Sequence, residues 1–272
     1  MYSSCSVQII IEGSNVENTF EKQKVITDNE VLDSKEGWYK GELHCHSNHS
    51  TGYASIEDII SAAKKMNFDF IAITDHFTFS HWEEINDLDL KEKPLILRSE
   101  EVSGEKGHAN LHGLKHWVSP FIDNNEELSS FLGLQERPSI NSVANEVHED
   151  GGLFCINHPL SGNMGWRYRD LDYNKVDLME IFCTSETDVT LANPLFWDRL
   201  LCEGHTITGV GSTDSHHPTD DTPWKFGGSV TYIYAKSLSQ KDILKGLKSG
   251  RVYVSREDSQ MDFKSIAPIT SY

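Results

Sequence analysis

Bases are scarce in this chain. Over 272 residues, 24 lysines and arginines stand against 42 aspartates and glutamates, a formal charge of -18. A general nucleic-acid binder neutralises phosphates with Lys and Arg, so that class is set aside. A phosphorylated small substrate is not, because bound cations reverse the sign locally. Cysteines are few and unpaired in pattern: Cys5, Cys45, Cys155, Cys183 and Cys202, odd in number and without C-x-x-C. That excludes a disulfide framework and fits a reducing compartment, so a cytoplasmic protein is expected. Cys45, Cys155 and Cys183 lie in apolar runs and read as small buried side chains. No apolar run approaches the roughly 18 residues of a membrane helix, so no membrane partner is expected. The opening MYSSCSVQIIIEGS lacks the basic region and long apolar core of a signal peptide. Internal repeats and low-complexity segments are also missing.

Strands and helices alternate through most of the sequence. Val7, Ile9 and Ile11 suggest an early strand, and residues 13–36 are mostly polar. Residues 1–37 therefore read as a short β-containing extension. Ser55 looks like the N-cap of a helix carrying Ile56, Ile59, Ile60 and Ala63. Buried-strand runs end in Asp75-His76 and in Glu100-Glu101, and HANLHGL reads as another strand. Residues 115–138 read as an insertion or lid. Helical spacing returns at Ile140, Val143, Ala144 and Val147 and stops at Gly151-Gly152. GLFCIN, VDLMEIF, ITGVGSTDSH, SVTYIYA and RVYVS follow as strands. A helix is expected from Pro194 to Cys202, and another opens at Ser239 with Asp242 and closes at Gly250. Residues 256–272 form a short tail. The alternation argues for an α/β sheet closed, or nearly so, into a barrel over residues 38–255.

The chemistry-bearing residues gather where apolar runs stop. In GELHCHSNHSTG, His44 and His46 are two apart, and in a strand such residues share a face. Asp75 and His76, Glu101, His158, Asp214 and His216 close later runs. In barrels of this class the C-terminal strand ends form one rim, where chemistry sits. So many His, Asp and Glu at strand ends point to a metal-binding rim.

The order HxH, ITDH, a Glu after a strand, NHP and GSTDSH resembles the PHP family (polymerase and histidinol phosphatase domains). WYKGELHCHS, EEVSGEKGHANLHGL, INHP and LKSGRVYVS look most like its CehA/McbA-type metallohydrolase branch. The resemblance implies a distorted (β/α)7 barrel with two or three divalent transition metals, namely zinc, manganese or iron. It implies a first metal on His44, His46, Glu101 and Asp214. A second would share Glu101 and take His108 and His158, and a third would take His76 and His216. Glu101 is preferred to Glu100 because Val102 and Ser103 follow it as in the family pattern; His108 ranks before His112. Where the family has Ser-Asp-Gly, this chain has Ser50, Thr51 and Gly52. Thr51 is a poor ligand, which leaves the third metal open, with His49 as a substitute. Asp75 is expected to orient a ligand by hydrogen bonding, and His217 to stand outside the ligand set.

The implied activity is hydrolysis, above all of a phosphoester, by a metal-bridging hydroxide. Asp214, His76 and His216 are the catalytic candidates, the histidines as proton donors to the leaving group. Arg167 and Arg169 are candidates for a clamp on substrate anions, with Lys225 behind them. Trp166 and Trp224 are candidates for the pocket wall. The expected partner is a small, phosphorylated molecule. Carboxyl or carbamate ester hydrolysis is the first alternative. A non-catalytic structural module is the second.

Overall fold

A computed structural model describes residues 30–88, 92, 94–118, 139–184, 192–218 and 226–256. The early strand, the 119–138 part of the insertion, Trp224, Lys225 and the tail after Arg256 lie outside them.

Nine strands form one sheet: β1 Gly37–Cys45, β2 Phe70–Ile73, β3 Leu95–Gly104, β4 Gly107–His112, β5 Leu153–Ile156, β6 Leu178–Cys183, β7 Thr208–Ser212, β8 Ser229–Ala235 and β9 Val252–Arg256. Their order is β7-β6-β5-β4-β3-β2-β1-β8-β9. Only β4 and β8 run against the rest, so seven strands share one direction. Five helices are described: α1 Ile56–Lys65, α2 Ser80–Asp87, α3 Ile140–Glu149, α4 Ala192–Cys202 and α5 Gln240–Lys248.

The local signals behave as their chemistry requires. Ser55, Ser139 and Ser239 each accept a backbone N–H in the first turn of the helix they precede. Asp242 does not return the favour to Ser239; its carboxylate accepts from Ser237 Oγ at 2.6 Å. Helix α2 was not apparent in the sequence, and its N-cap position, Phe79, makes no side-chain cap. Cys45, Cys155 and Cys183 are buried, as their apolar surroundings imply.

Inside the sheet, Leu43, Phe70, Leu97, Leu153, Leu178, Val210 and Ile233 form one core with Ile243, Leu244 and Leu247 of α5. Helix α5 thus closes the end where the strands begin, and the opposite end stays open. Helices α3 and α4 bury their apolar faces in a second core, and α1 in a third.

Closure of the barrel is nearly complete. The edge of β7 meets β8 through a side chain: Thr231 Oγ1 accepts from Gly211 N at 2.9 Å and donates to Gly211 O at 2.7 Å. Nearer the open end, His46 N donates to Ser215 O at 2.9 Å. Between these points Glu42 does the joining. Its Oε1 accepts the N–H groups of Leu43 at 3.1 Å, His44 at 3.0 Å and Thr213 at 3.0 Å, and Oε2 accepts Thr213 Oγ1 at 2.8 Å. A fully buried carboxylate supplies the acceptors that a neighbouring strand would otherwise give. The register of β1 against β2 slips between Glu42 and Cys45. Such a bulge re-aims side chains, and here it spans His44, the first histidine of the open rim.

Glu42→Ala leaves those donors without an acceptor, each a buried polar group stripped of its partner. The expected loss is about 3 kcal/mol or more of unfolding free energy. Glu42→Gln keeps one acceptor oxygen and should lose clearly less. Denaturant midpoints of the two variants against the parent chain check the order.

Candidate metal centre

The open rim collects side chains from six strand ends. His44 and His46 come from the end of β1 and are fully buried. His76 follows β2, Glu101 lies in β3, His108 in β4, His158 follows β5, and Asp214 and His216 follow β7. Two of these positions, and the neighbour of a third, carry backbone cost. Non-glycine residues rarely take positive φ, yet His158 has φ 24°, Asp214 φ 50° and Phe77, beside His76, φ 55°. Strain of this kind gathers at functional sites, where the surroundings impose it.

Glu101 is the centre of the arrangement. Its Oε2 lies 3.0 Å from His44 Nε2, 3.2 Å from His46 Nε2 and 3.4 Å from His76 Nε2. Its Oε1 lies 3.1 Å from His108 Nδ1 and 3.8 Å from His158 Nε2. Asp214 Oδ1 closes the first side, 3.1 Å from His44 Nε2 and 3.0 Å from His46 Nε2. Three groups have ligand atoms within 4.8 Å of one another: His44, His46, Glu101 and Asp214; Glu101, His108 and His158; His46, His76 and His216. All eight residues expected from the sequence as ligands are therefore brought together, with Glu101 in two groups and His46 in two.

The donor set fits cations. His44 Nε2 and His46 Nε2 face each other at 3.2 Å, and both face carboxylate oxygens. Hydrogen bonding alternates donors with acceptors, whereas in their unprotonated form these imidazoles turn lone pairs on lone pairs. His46 Nδ1 is buried and has no hydrogen-bond partner. Mixed imidazole and carboxylate ligation suits zinc, manganese and iron alike.

Charge tells the same story. Burial opposes protonation of His46, but the Asp214 and Glu101 carboxylates beside it prevail and lift it to about 9. His158 also rises to about 9, against burial, on account of Glu101, Asp214 and Glu180. Burial likewise opposes ionisation of Glu101 and Asp214, yet the imidazoles hold both well below the usual carboxylate range. His76 goes the other way: burial and its charged imidazole neighbours lower it to about 4. Burial and His46 lower His216 too.

Several sequence readings are sharpened here. Glu100 points away from the rim and accepts Val118 N at 3.0 Å, so only Glu101 joins the cluster. His112 lies deeper in the barrel, with Nδ1 2.9 Å from Ser99 Oγ, and burial pushes it down to about 3. His49 does not substitute for Thr51. Its ring nitrogens are taken by Ser80 Oγ at 2.7 Å and Glu84 Oε2 at 2.6 Å. Asp75 orients no ligand of the cluster; it accepts Ser47 N at 2.8 Å and the hydroxyls of Ser47 and Ser50, holding the loop after β1. His217 stacks on Tyr53 at 4.2 Å between ring centres. Trp166 is core, against Phe154 and Tyr168. Arg167 donates through Nη2 to Glu105 O and to Asn163 O, the latter at 2.7 Å. Neither Arg167 nor Arg169 is in a described contact with the cluster.

Two positioning residues were missed. Glu180, in β6, takes His44 Nδ1–H at 2.7 Å, the hydroxyl of Ser212, and His158 N–H at 2.7 Å. It fixes the His44 tautomer and leaves Nε2 for the cluster. Its signal was an acid flanked on both sides by apolar residues in the run VDLMEIF. Asn157 donates through Nδ2 to Glu101 Oε1 at 2.9 Å and accepts Asn110 N–H at 3.0 Å.

Comparison with known proteins places these features. Residues 42–155 match the model of the PHP domain family. That span holds the HxH, ITDH and Glu101 motifs and ends before His158, Asp214 and His216. None of the curated proteins matches the chain. Among solved structures, a two-domain protein from Bacteroides vulgatus containing a predicted PHP-like metal-dependent phosphoesterase superposes with a TM-score of 0.56 at 18% identity, over 84% of this chain and 68% of that one. PsfC from Pseudomonas syringae superposes with a TM-score of 0.53 at 15% identity, over 82% and 93%. At these identities the likeness is one of fold.

Two outcomes follow from the geometry. Glu180→Ala frees the His44 ring and should weaken metal binding about 10–100-fold while the chain stays folded; equilibrium dialysis against a competing chelator reads this. Imidazoles that titrate near 9 must lose protons to bind a cation. Loading should therefore release protons into a weak buffer at neutral pH, and affinity should climb as pH rises toward about 9.

Proposed function

We propose that this chain is a metal-dependent hydrolase of the PHP type, acting on phosphoesters of small molecules. The observation that carries the reading is Glu101, whose two oxygens face two separate sets of imidazoles. In this reading His44, His46, Glu101 and Asp214 hold one metal, and Glu101, His108 and His158 a second. His46, His76 and His216 supply a third position. Metals at those positions would lower the pKa of water and polarise the ester, the services that hydrolysis of an anionic ester needs.

The chain's own side chains supply the rest. Asp214 and Glu101 balance cationic charge at the rim. Glu180 and Asn157 keep His44 and Glu101 from swinging. His216 Nδ1–H donates to Asp214 O at 3.1 Å, which leaves Nε2 outward, and the ring is 35% exposed. His76 is similarly fixed through Nδ1 to Ser103 Oγ at 2.7 Å. Both imidazoles are held below their usual range and so stand unprotonated near neutrality; where the third position is empty, either is placed at the open edge to take up a proton and pass it to the departing oxygen as its bond to phosphorus breaks. Arg169 and, where the loop yields, Arg167 serve as the clamp for substrate anions.

One observation favours the second reading, hydrolysis of carboxyl or carbamate esters. Arg167 is already engaged by backbone carbonyls, and a neutral ester needs no clamp. The motif likeness to the CehA/McbA branch points the same way.

Protein purified without chelator should carry close to two or more transition-metal ions per chain. A stable, metal-free protein would remove both hydrolase readings in favour of a structural module. Asp214→Asn and Glu101→Gln should each lower turnover by at least about 10³-fold with the fold intact. A panel of phosphomonoesters, phosphodiesters, carboxyl esters and carbamates then separates the two chemistries.

A further inference from the structure

The other end of the barrel holds a cavity of about 510 Å³. It lies between α5 and the turns that end β4 and precede β5, which is the end where the parallel strands begin. Its floor includes Leu153 and Leu244. Its walls carry Lys115, Lys241, Lys245 and Lys248. The three helix lysines recur at i, i+4 and i+7 along one face of α5, and Lys115 reaches in from the facing turn. Gly151, at φ 80°, leaves open space where a side chain would stand. Gly113, at φ 79°, lets Leu244 lie against bare backbone, since a Cβ there would be 2.4 Å from Leu244 Cδ1.

The charge of this cavity runs against the composition. Acids outnumber bases 42 to 24 in the chain, yet this lining gathers four lysines. Among the described residues, Lys115, Lys241 and Lys245 pair with none. Lys248 reaches Asp177 at 3.4 Å. The only described carboxylate lining the cavity is Asp150, and it is occupied: it accepts Lys115 N at 2.7 Å, His116 N at 2.8 Å and His116 Nδ1–H at 2.8 Å. Lysines on the outer face of an amphipathic helix are ordinary. Four of them around an apolar floor, with one wall contributed by a different element, are not.

We infer that this cavity binds a small phosphorylated anion with at least two negative charges and an apolar or planar body. Ammonium groups act as point charges for phosphate oxygens. Leu153 and Leu244 give the body a surface to lie on. The volume falls in the range of small-ligand sites. A nucleotide and a sugar phosphate share the required charge, and the floor favours the nucleotide. This site is separate from the rim and does not depend on the hydrolase reading.

Isothermal titration of the metal-loaded protein with ADP, fructose 1,6-bisphosphate, inorganic pyrophosphate and adenosine tests the inference. ADP should bind with a submillimolar Kd that weakens with added salt, and adenosine should not bind. The surface double variant Lys241→Gln/Lys245→Gln should weaken ADP at least about tenfold. Asp214→Asn, which removes one ligand of the first group at the rim, should leave ADP binding in place. Tighter binding of the sugar bisphosphate would keep the site and change the body it prefers. The inference fails if none of the phosphorylated probes saturates in the millimolar range. It fails equally if the lysine pair has no effect, or if binding disappears in Asp214→Asn alone.

Discussion

Glu101 is the constraint that the open end of the barrel is built to satisfy. A carboxylate so buried is costly unless its oxygens are met. Here the two oxygens are met by different strands: β1 and the turn after β2 on one side, β4 and the turn after β5 on the other. Asn157 adds a hydrogen bond that fixes the plane of the group. Because those partners are spread around the barrel, Glu101 holds its place only if closure is correct. That gives the Glu42 seam its importance. It joins β1 to the segment after β7, and so sets His44 and His46 against Asp214.

The strained backbone reads in the same terms. His158, Asp214 and Phe77 all have positive φ, and each stands in or beside the cluster. What holds them is the neighbouring structure: the Glu180 carboxylate takes the His158 N–H, and Asp214 Oδ1 is met by His44 and His46. The strain is the cost of turning strand ends sharply inward so that their side chains converge.

How much of this was legible in the sequence depended on whether a residue's role was local. Helix starts at Ser55 and Ser239 are local events, and the serine with its apolar periodicity discloses them; the helix after Ser139 was disclosed by its periodicity alone. The rim was legible for a different reason: its residues stand where apolar runs end, and a barrel places those ends together. The strand count was less legible. Gly107–His112 and Ser229–Ala235 are strands in the sequence, but nothing local says that they run backwards in the sheet. The residues that failed to show were those acting on others. Glu180 and Asn157 act on His44 and Glu101 across distances of 136 and 56 positions in the chain. Asp75 was visible as an acid at a strand end, but its partners are the hydroxyls of the β1 loop, a choice made by packing.

Buried acids divide by what meets them, and the division says where cations belong. Among the described residues Glu42, Asp75, Glu100, Glu101 and Glu180 are fully buried or nearly so, whereas Lys40 is the one buried lysine or arginine. Glu42 is met by three backbone N–H groups and a hydroxyl, Asp75 by a backbone N–H and two hydroxyls, and Glu100 by the N–H of Val118. Those are dipoles, and they are satisfied by the chain itself. Glu101 and Asp214 are met chiefly by imidazole nitrogens, which in the unprotonated form offer lone pairs to lone pairs. Such a set is stable only with positive charge in its midst, as protons on His44, His46 and His158 or as metal ions. Ions that bind the folded chain and not the unfolded one add about 4 kcal/mol when present at a thousand times their dissociation constant. The rim therefore costs the empty fold what the loaded fold recovers. That exchange, rather than packing, accounts for a cluster of eight ionisable side chains at the mouth of the barrel.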